Sequence, residues 1–268
     1  VLAVLPIEKS FYGGHGFHTT FLGHPFFYAV AETELNLDRM AQLQSASPSM
    51  STVAALPGSR THEVHDNFPV MLDAIAQLTE AHPDVRFAVA AYREKHLEFC
   101  QATLSQYGRS LPIDFYLGAT SEINEHARCA MMVSGSGSLE LMARRTPASV
   151  LYRVGRFLYS VGKCVIKVDS VTLPNLMPDP ATGERSAESV FPELVSVGQP
   201  SKASAFLARS VGEMLADEEH YQNKLAQLDR LAEAYARPGA TSEAARVLSG
   251  LLEASSEEGT AAIARDAA

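Results

Sequence analysis

Two short stretches carry residue types whose spacing could bind a charged ligand. In "LPGSR" (Leu56–Arg60) an apolar run ends in Gly58, Ser59 and Arg60. Glycine frees the backbone to turn, the hydroxyl donates, and the fixed guanidinium offers a fork of donors suited to a diphosphate. In "SGSGSLE" (Ser134–Glu140), Gly135 and Gly137 alternate with serines just ahead of a helix pattern. The glycines permit a tight turn and a close backbone approach, and the unpaired N–H groups of a helix start attract anions. Ser134 and Ser136 add hydroxyl donors. Glu140 falls in the first helical turn, where a carboxylate can accept both hydroxyls of a ribose or simply favour the helix dipole. The full GxGxxG fingerprint is missing, so a generic tight turn stays open here. Arg60 has its own plain alternative, a surface ion pair with Glu63 contributing at most about 1 kcal/mol.

Other polar residues are less pointed. "HEVHD" (His62–Asp66) sets its histidines three apart. That is not the HExxH zinc pattern, no third ligand is evident, and solvated side chains are expected. "GHP" (Gly23–Pro25) reads as a turn, with His24 either a polar cleft residue or a turn histidine. From Arg144 to Val168 there are six basic residues and no acid: Arg144, Arg145, Arg153, Arg156, Lys163 and Lys167. Tyr152, Phe157 and Tyr159 lie among them. Basic and aromatic residues together suit an anionic ligand or the headgroup zone of a membrane, and a solvated basic helix face is the alternative.

Positioning these residues falls to alternating strand and helix patterns. Apolar β-rich runs at Thr52–Leu56, Val85–Ala91, Ile113–Leu117, Ala130–Val133 and Ser149–Tyr152 predict strands. Helices are predicted at Phe68–Ala81, with Asn67 as cap and Pro69 in the first turn, and at Glu94–Tyr107, Ser121–Ala127 and Ser138–Arg144. Such alternation implies an α/β fold, a Rossmann-like parallel sheet covered on both faces. The last third predicts helices at Ser201–Leu215, Glu218–Ala236 and Glu243–Leu252. The opening "VLAVLP" reads as a strand, Met40–Met50 as a polar linker, and residues 255–268 as a frayed or disordered tail.

The totals bound the answer. The 268 residues are 46% apolar and 20% charged, ordinary for a globular chain. A net charge of −9 argues against general nucleic-acid binding. The three cysteines, Cys100, Cys129 and Cys164, are too widely spaced for a zinc ribbon or a CxxC pair and read as reduced core residues. No run is long enough to span a membrane and none resembles a signal peptide. A chain that opens at Val1 inside a core strand is expected to be a fragment whose upstream part is missing.

Read in order, "LPIEKSFY", "FLGHP", "LPGSR", "SGSGSLE" and "SVTLPNLM" resemble the lipid-A-disaccharide synthase family over nearly the whole chain. The resemblance implies an inverting, metal-free and cofactor-free glycosyltransferase of the two-Rossmann-domain GT-B type. It would join UDP-2,3-diacylglucosamine to 2,3-diacylglucosamine 1-phosphate, release UDP, and work at the cytoplasmic face of the inner membrane. On this resemblance residues 1–50 are a remnant of the acceptor domain with a linker, and 51–254 the UDP-sugar domain with its terminal helices. Arg60 matches the arginine of the family's "PGSR" loop, and Gly135, Ser136 and Glu140 match its "SGTxxLE" segment. Asn175 matches "LPN", and Pro192 with Glu193 matches "PEL". Arg60 and Glu140 are then the expected catalytic residues. Gly58, Ser59, Ser134, Gly135, Ser136, Gly137, Asn175, Glu193 and His24 would line the substrate site. Arg153, Arg156, Phe157, Lys163 and Lys167 would meet an anionic membrane surface. A homo-oligomer is compatible with the resemblance.

There are departures from the family. Ser136 replaces the usual threonine, Ser196 stands where a glutamine is usual, and the loop from Asn175 to Phe191 is longer. The general base expected in the acceptor domain has no counterpart, Glu8 being the one carboxylate near that cleft. Competing readings are a nucleotide-binding module without turnover and another GT-B enzyme, such as a UDP-N-acetylglucosamine epimerase.

Overall fold

A computed structural model describes residues 1–46, 49–155, 170–186, 188–236 and 238–266, with backbone alone from 254 onward. Six strands form one parallel sheet in the order β5-β4-β3-β6-β7-β8. They are β3 (Ser51–Leu56), β4 (Val85–Ala91), β5 (Ile113–Leu117), β6 (Cys129–Val133), β7 (Ala148–Arg153) and β8 (Glu193–Ser196). Chain order runs outward from β3 to one edge, then returns and runs outward from β6 to the other. The reversal between β3 and β6 is the topological switch point of a doubly wound sheet, where loops beyond the carboxyl ends part and leave a crevice.

Strand residues alternate between two cores, as the pleat requires. Val53, Ala55, Phe87, Val89, Cys129 and Met131 face one side. There they meet α4 (Thr61–Ala81), α5 (Glu94–Tyr107) and the helix Pro200–Ala216. Ala54, Leu56, Ala88, Ala90, Ala130 and Met132 face the other. On that side α6 (Thr120–His126), α7 (Gly137–Ala143) and the helix Glu218–Tyr235 cover the sheet. The thiols of Cys100 and Cys129 are free and buried, and burial pushes both up to about 12, so they stay protonated core groups.

The opening segment is built differently from expectation. β1 (Leu2–Ala3) and β2 (Thr20–Phe21) form a separate parallel pair, and α1 (Pro6–Gly14) cuts the predicted "VLAVLP" strand short. Pro6 suits a first helical position, and the Glu8 carboxylate accepts the N–H groups of Val4 at 2.9 Å and Leu5 at 3.0 Å. Two helices follow, α2 (Phe26–Glu32) and α3 (Leu37–Ser45), so the predicted linker is helical up to Ser45. Buried Arg86 clamps α3 to the sheet by donating to the Leu43 carbonyl, to Thr52 Oγ1 at 2.9 Å and to Asp114 at 3.1 Å.

Helix α4 starts seven residues before the predicted Phe68, at Thr61. Asn67 is therefore no cap, and its amide donates to the Glu63 carbonyl at 2.7 Å inside the helix. Pro69 sits mid-helix, where it lacks the N–H of a regular turn. Arg153 of β7 donates to the Asp66 carbonyl in the turn just before it. The final helix runs Ala240–Asp266, through the stretch expected to fray.

Candidate functional site

Loops leaving β3 and β6 meet at the switch point. Leu56 pairs with Met132 in register, so Pro57–Arg60 and Ser134–Gly137 emerge side by side. With residues from α2, β4 and α6 they line a cleft of about 260 Å³. Gly58, Ser59, Arg60, Ser134, Gly135, Ser136 and Gly137, seven of the sequence-predicted site residues, all belong to that lining.

Glu63 organises the first loop. Its Oε2 accepts the N–H groups of Ser59 and Arg60, both at 3.1 Å, closing the start of α4 as a capping carboxylate. Its Oε1 accepts from Arg60 Nη1 at 2.6 Å, so the ion pair weighed from sequence is present. Burial alone would raise the Glu63 carboxyl. The hydrogen bonds from Arg60 and Ser59, with the Arg60 charge, outweigh it and hold the group below the usual carboxylate range. Gly58 is obligatory: its φ is +124°, and a Cβ there would sit 2.6 Å from Glu63 Cβ and 3.3 Å from Val133. The Arg60 side chain remains 72% exposed. One of its nitrogens neutralises Glu63 while the rest of the fork is left for a ligand.

The second loop presents backbone. The N–H groups of Gly135, Ser136 and Gly137 precede the first helical bonds, which begin with Ser138 N–H to the Gly135 carbonyl at 3.2 Å. Ser134 Oγ donates to the Val171 carbonyl at 3.1 Å and so ties the loop to the segment before "LPN".

The other predicted residues lie outside the lining. Glu140 is buried and accepts from Arg144 Nε at 3.0 Å, while Arg144 Nη1 reaches Glu125 at 2.9 Å. The Asn175 amide donates to the Phe191 carbonyl at 2.8 Å, and its oxygen accepts the Phe191 N–H at 2.9 Å. Glu193 accepts the N–H groups of Val171 at 3.1 Å and Thr172 at 3.0 Å. Asn175 and Glu193 therefore brace the 170–176 segment, and both bond backbone rather than open space. His24 accepts the Phe26 N–H at Nδ1, 3.2 Å away. Burial lowers its imidazole below the usual value, although Glu8 pulls the other way. His65 stacks on Phe99 with ring centroids 3.9 Å apart, a packing role for the second histidine of "HEVHD".

The basic island is also rearranged. Arg144 and Arg145 pair with acids of α6, α7 and the helix Glu218–Tyr235, and Arg153 is held by α4. Arg153 is thus tied inward, while Arg156, Phe157, Lys163 and Lys167 lie outside the described residues. Among the described residues no helix is long and apolar enough to cross a membrane.

Sequence reasoning passed over Phe26, Tyr92, Thr120 and Asn124, which complete the cleft. Tyr92 and Thr120 follow the carboxyl ends of β4 and β5, where the loops of an open parallel sheet gather around ligands, and that rule could have found them.

A family model described as lipid-A-disaccharide synthetase matches residues 1–244. The lipid-A-disaccharide synthase of Anaeromyxobacter sp. (strain K) is 28% identical over 94% of the chain and 62% of its own length. That of Psychromonas ingrahamii is 30% identical over 67% of the chain and 47% of its own length. The chain thus spans about half to three-fifths of the length of these relatives. The structure titled "S. aureus MnaA-UDP co-structure" aligns with TM-score 0.60 and 13% identity over 94% of this chain and 60% of that one. A UDP-GlcNAc 2-epimerase from Neisseria meningitidis bound to UDP-GlcNAc aligns with TM-score 0.59 and 11% identity over 92% and 60%. At these identities the structural matches establish the fold, a Rossmann-like sheet of the GT-B type.

Proposed function

The chain belongs to the lipid-A-disaccharide synthetase family, and from that premise we propose that its cleft holds the UDP-sugar donor of a glycosyl transfer. The donor is UDP-2,3-diacylglucosamine, the acceptor 2,3-diacylglucosamine 1-phosphate, and the products the lipid A disaccharide 1-phosphate and UDP. One observation carries this reading: the "PGSR" and "SGSG" loops converge on a single cleft at the switch point. The uridine nucleotides named with the two fold relatives support the choice of base.

As the acceptor hydroxyl attacks the sugar carbon, the bond to the β-phosphate breaks and negative charge grows on UDP. The N–H groups of Gly135, Ser136 and Gly137, the Ser59 hydroxyl and the free donors of Arg60 are the groups able to take up that charge. Competition from Glu63 is weak, because an exposed ion pair contributes at most about 1 kcal/mol against a diphosphate of higher charge. On the family resemblance alone Glu140 would hold the ribose, which requires its carboxylate to be shared between Arg144 and the ligand. Arg156, Phe157, Lys163 and Lys167 would rest on the anionic inner face of the cytoplasmic membrane, where acylated substrates reside.

Titration of UDP into the chain and into Arg60→Ala and Glu140→Gln, with melting curves alongside, tests the assignment. Charge-assisted hydrogen bonds contribute about 1.5–3 kcal/mol, so each variant should bind UDP about ten- to a hundredfold more weakly while staying folded. Unchanged affinity removes the residue concerned from the site.

A further inference from the structure

The cleft is graded in depth. Ser59, Arg60, Gly135 and Ser136 are exposed at its mouth, while Leu56, Ala90, Met132 and Asn124 are buried at its floor. Asn124 is the exception in that apolar floor. At 0% exposure it is the most deeply set polar side chain of the lining, and neither its amide oxygen nor its amide nitrogen has a partner. Its backbone is fixed, since Thr146 Oγ1 donates to its carbonyl at 2.7 Å. A buried amide with both ends open is destabilising and calls for a partner, which in a cleft floor is supplied by a water or a ligand.

We propose that Asn124 reads the base of the bound nucleotide, its amide pairing with the imide edge of a uracil ring. This rests on the nucleotide reading above and adds to it the residue that selects the base. A primary amide presents one N–H and one carbonyl oxygen side by side. The uracil edge offers a carbonyl and the N3–H in complementary order, so two hydrogen bonds satisfy all four groups. Leu56, Ala90 and Met132 suit the faces of a flat ring, and Tyr92 at the rim supplies an aromatic surface to stack on. A sugar, with hydroxyls on every side, would leave most of them unpaired on that floor. The diphosphate belongs to the mouth, where Arg60 and the serine hydroxyls lie.

The test is calorimetric titration of UDP and of N3-methyl-UDP into the unaltered chain and into Asn124→Leu, with melting temperatures measured without nucleotide. Methylation removes the N3–H, so the unaltered chain should bind UDP about tenfold more tightly than its methylated form. Asn124→Leu should bind both about equally, UDP now more weakly, and should melt no lower, because an unpartnered amide has been replaced by an apolar side chain of similar size. Equal affinity of the unaltered chain for the two nucleotides overturns the proposal. So does a leucine variant that keeps the preference for UDP. A variant that melts lower yet keeps its UDP affinity overturns it too, leaving the amide a structural group closed by buried water. If Asn124→Leu does not fold, the two nucleotides on the unaltered chain decide alone. Failure of UDP to bind the unaltered chain at all overturns the nucleotide reading as well, which separates the two claims.

Discussion

At the scale of single residues, the cleft depends on a lining carboxylate whose oxygens are taken up by its own loop. Glu63 holds the Ser59 and Arg60 N–H groups and neutralises one edge of the guanidinium. Its depressed pKa fixes a sign. The stabilisation is fully present above the ordinary carboxylate range and is lost as pH falls through the lowered value of the folded state. Glu63→Gln should therefore be less stable at neutral pH and flatten the acid limb of a stability–pH curve. An unchanged acid limb in urea unfolding at several pH values would show the loop to be closed by something else. Gly58→Ala should destabilise the fold by about 1–3 kcal/mol, since φ is +124° and Glu63 occupies the space a Cβ needs; a thermal melt reads this directly. Arg60 and the two glycines were legible in the sequence because their chemistry is local. Asn124 was not, because an asparagine in a helix pattern carries no sign of which face it turns to the sheet.

At the scale of elements, the strand cores were legible from apolar runs, and α5 falls on its predicted bounds Glu94–Tyr107 although no side chain caps its start. The start of α4 was misplaced because Pro69 resembled a first-turn proline, whereas the true start is capped by Glu63 and tolerates the proline in mid-helix. The segment around "LPN" shows the same limit. Its motif residues were legible as a motif, yet Asn175 and Glu193 bond backbone across a gap in sequence that no periodicity reveals. Asn175→Ala should leave the Phe191 N–H and carbonyl unpaired in the core, at a cost of about 1–3 kcal/mol for each group left so. Chemical denaturation should report that loss. A melt unaltered by Asn175→Ala would mean that Phe191 finds other partners and that the amide serves a ligand instead.

At the scale of the whole molecule, charge that is clustered in sequence is dispersed in space. Arg144, Arg145 and Arg153 meet partners on other elements, which no reading of a linear run of cations could anticipate. Of the island, Arg156, Lys163 and Lys167 remain as the proposed contact with an anionic membrane surface. At about 1 kcal/mol per basic side chain, neutralising those three should cut partitioning onto anionic vesicles by about two orders of magnitude, and Arg145→Gln should change it little. Sedimentation with vesicles at low and high salt distinguishes the two sets. The parallel sheet, by contrast, followed from strand–helix alternation, while the strand order that brings the two glycine loops together came only with the structure. The central claim is that this meeting point is a uridine diphosphate site. Hydrogen–deuterium exchange of the chain with and without UDP tests it most directly. The account predicts slowed exchange confined to the cleft loops and floor, residues 58–60, 92, 120–124 and 134–140. Protection elsewhere, or none at saturating UDP, would contradict it.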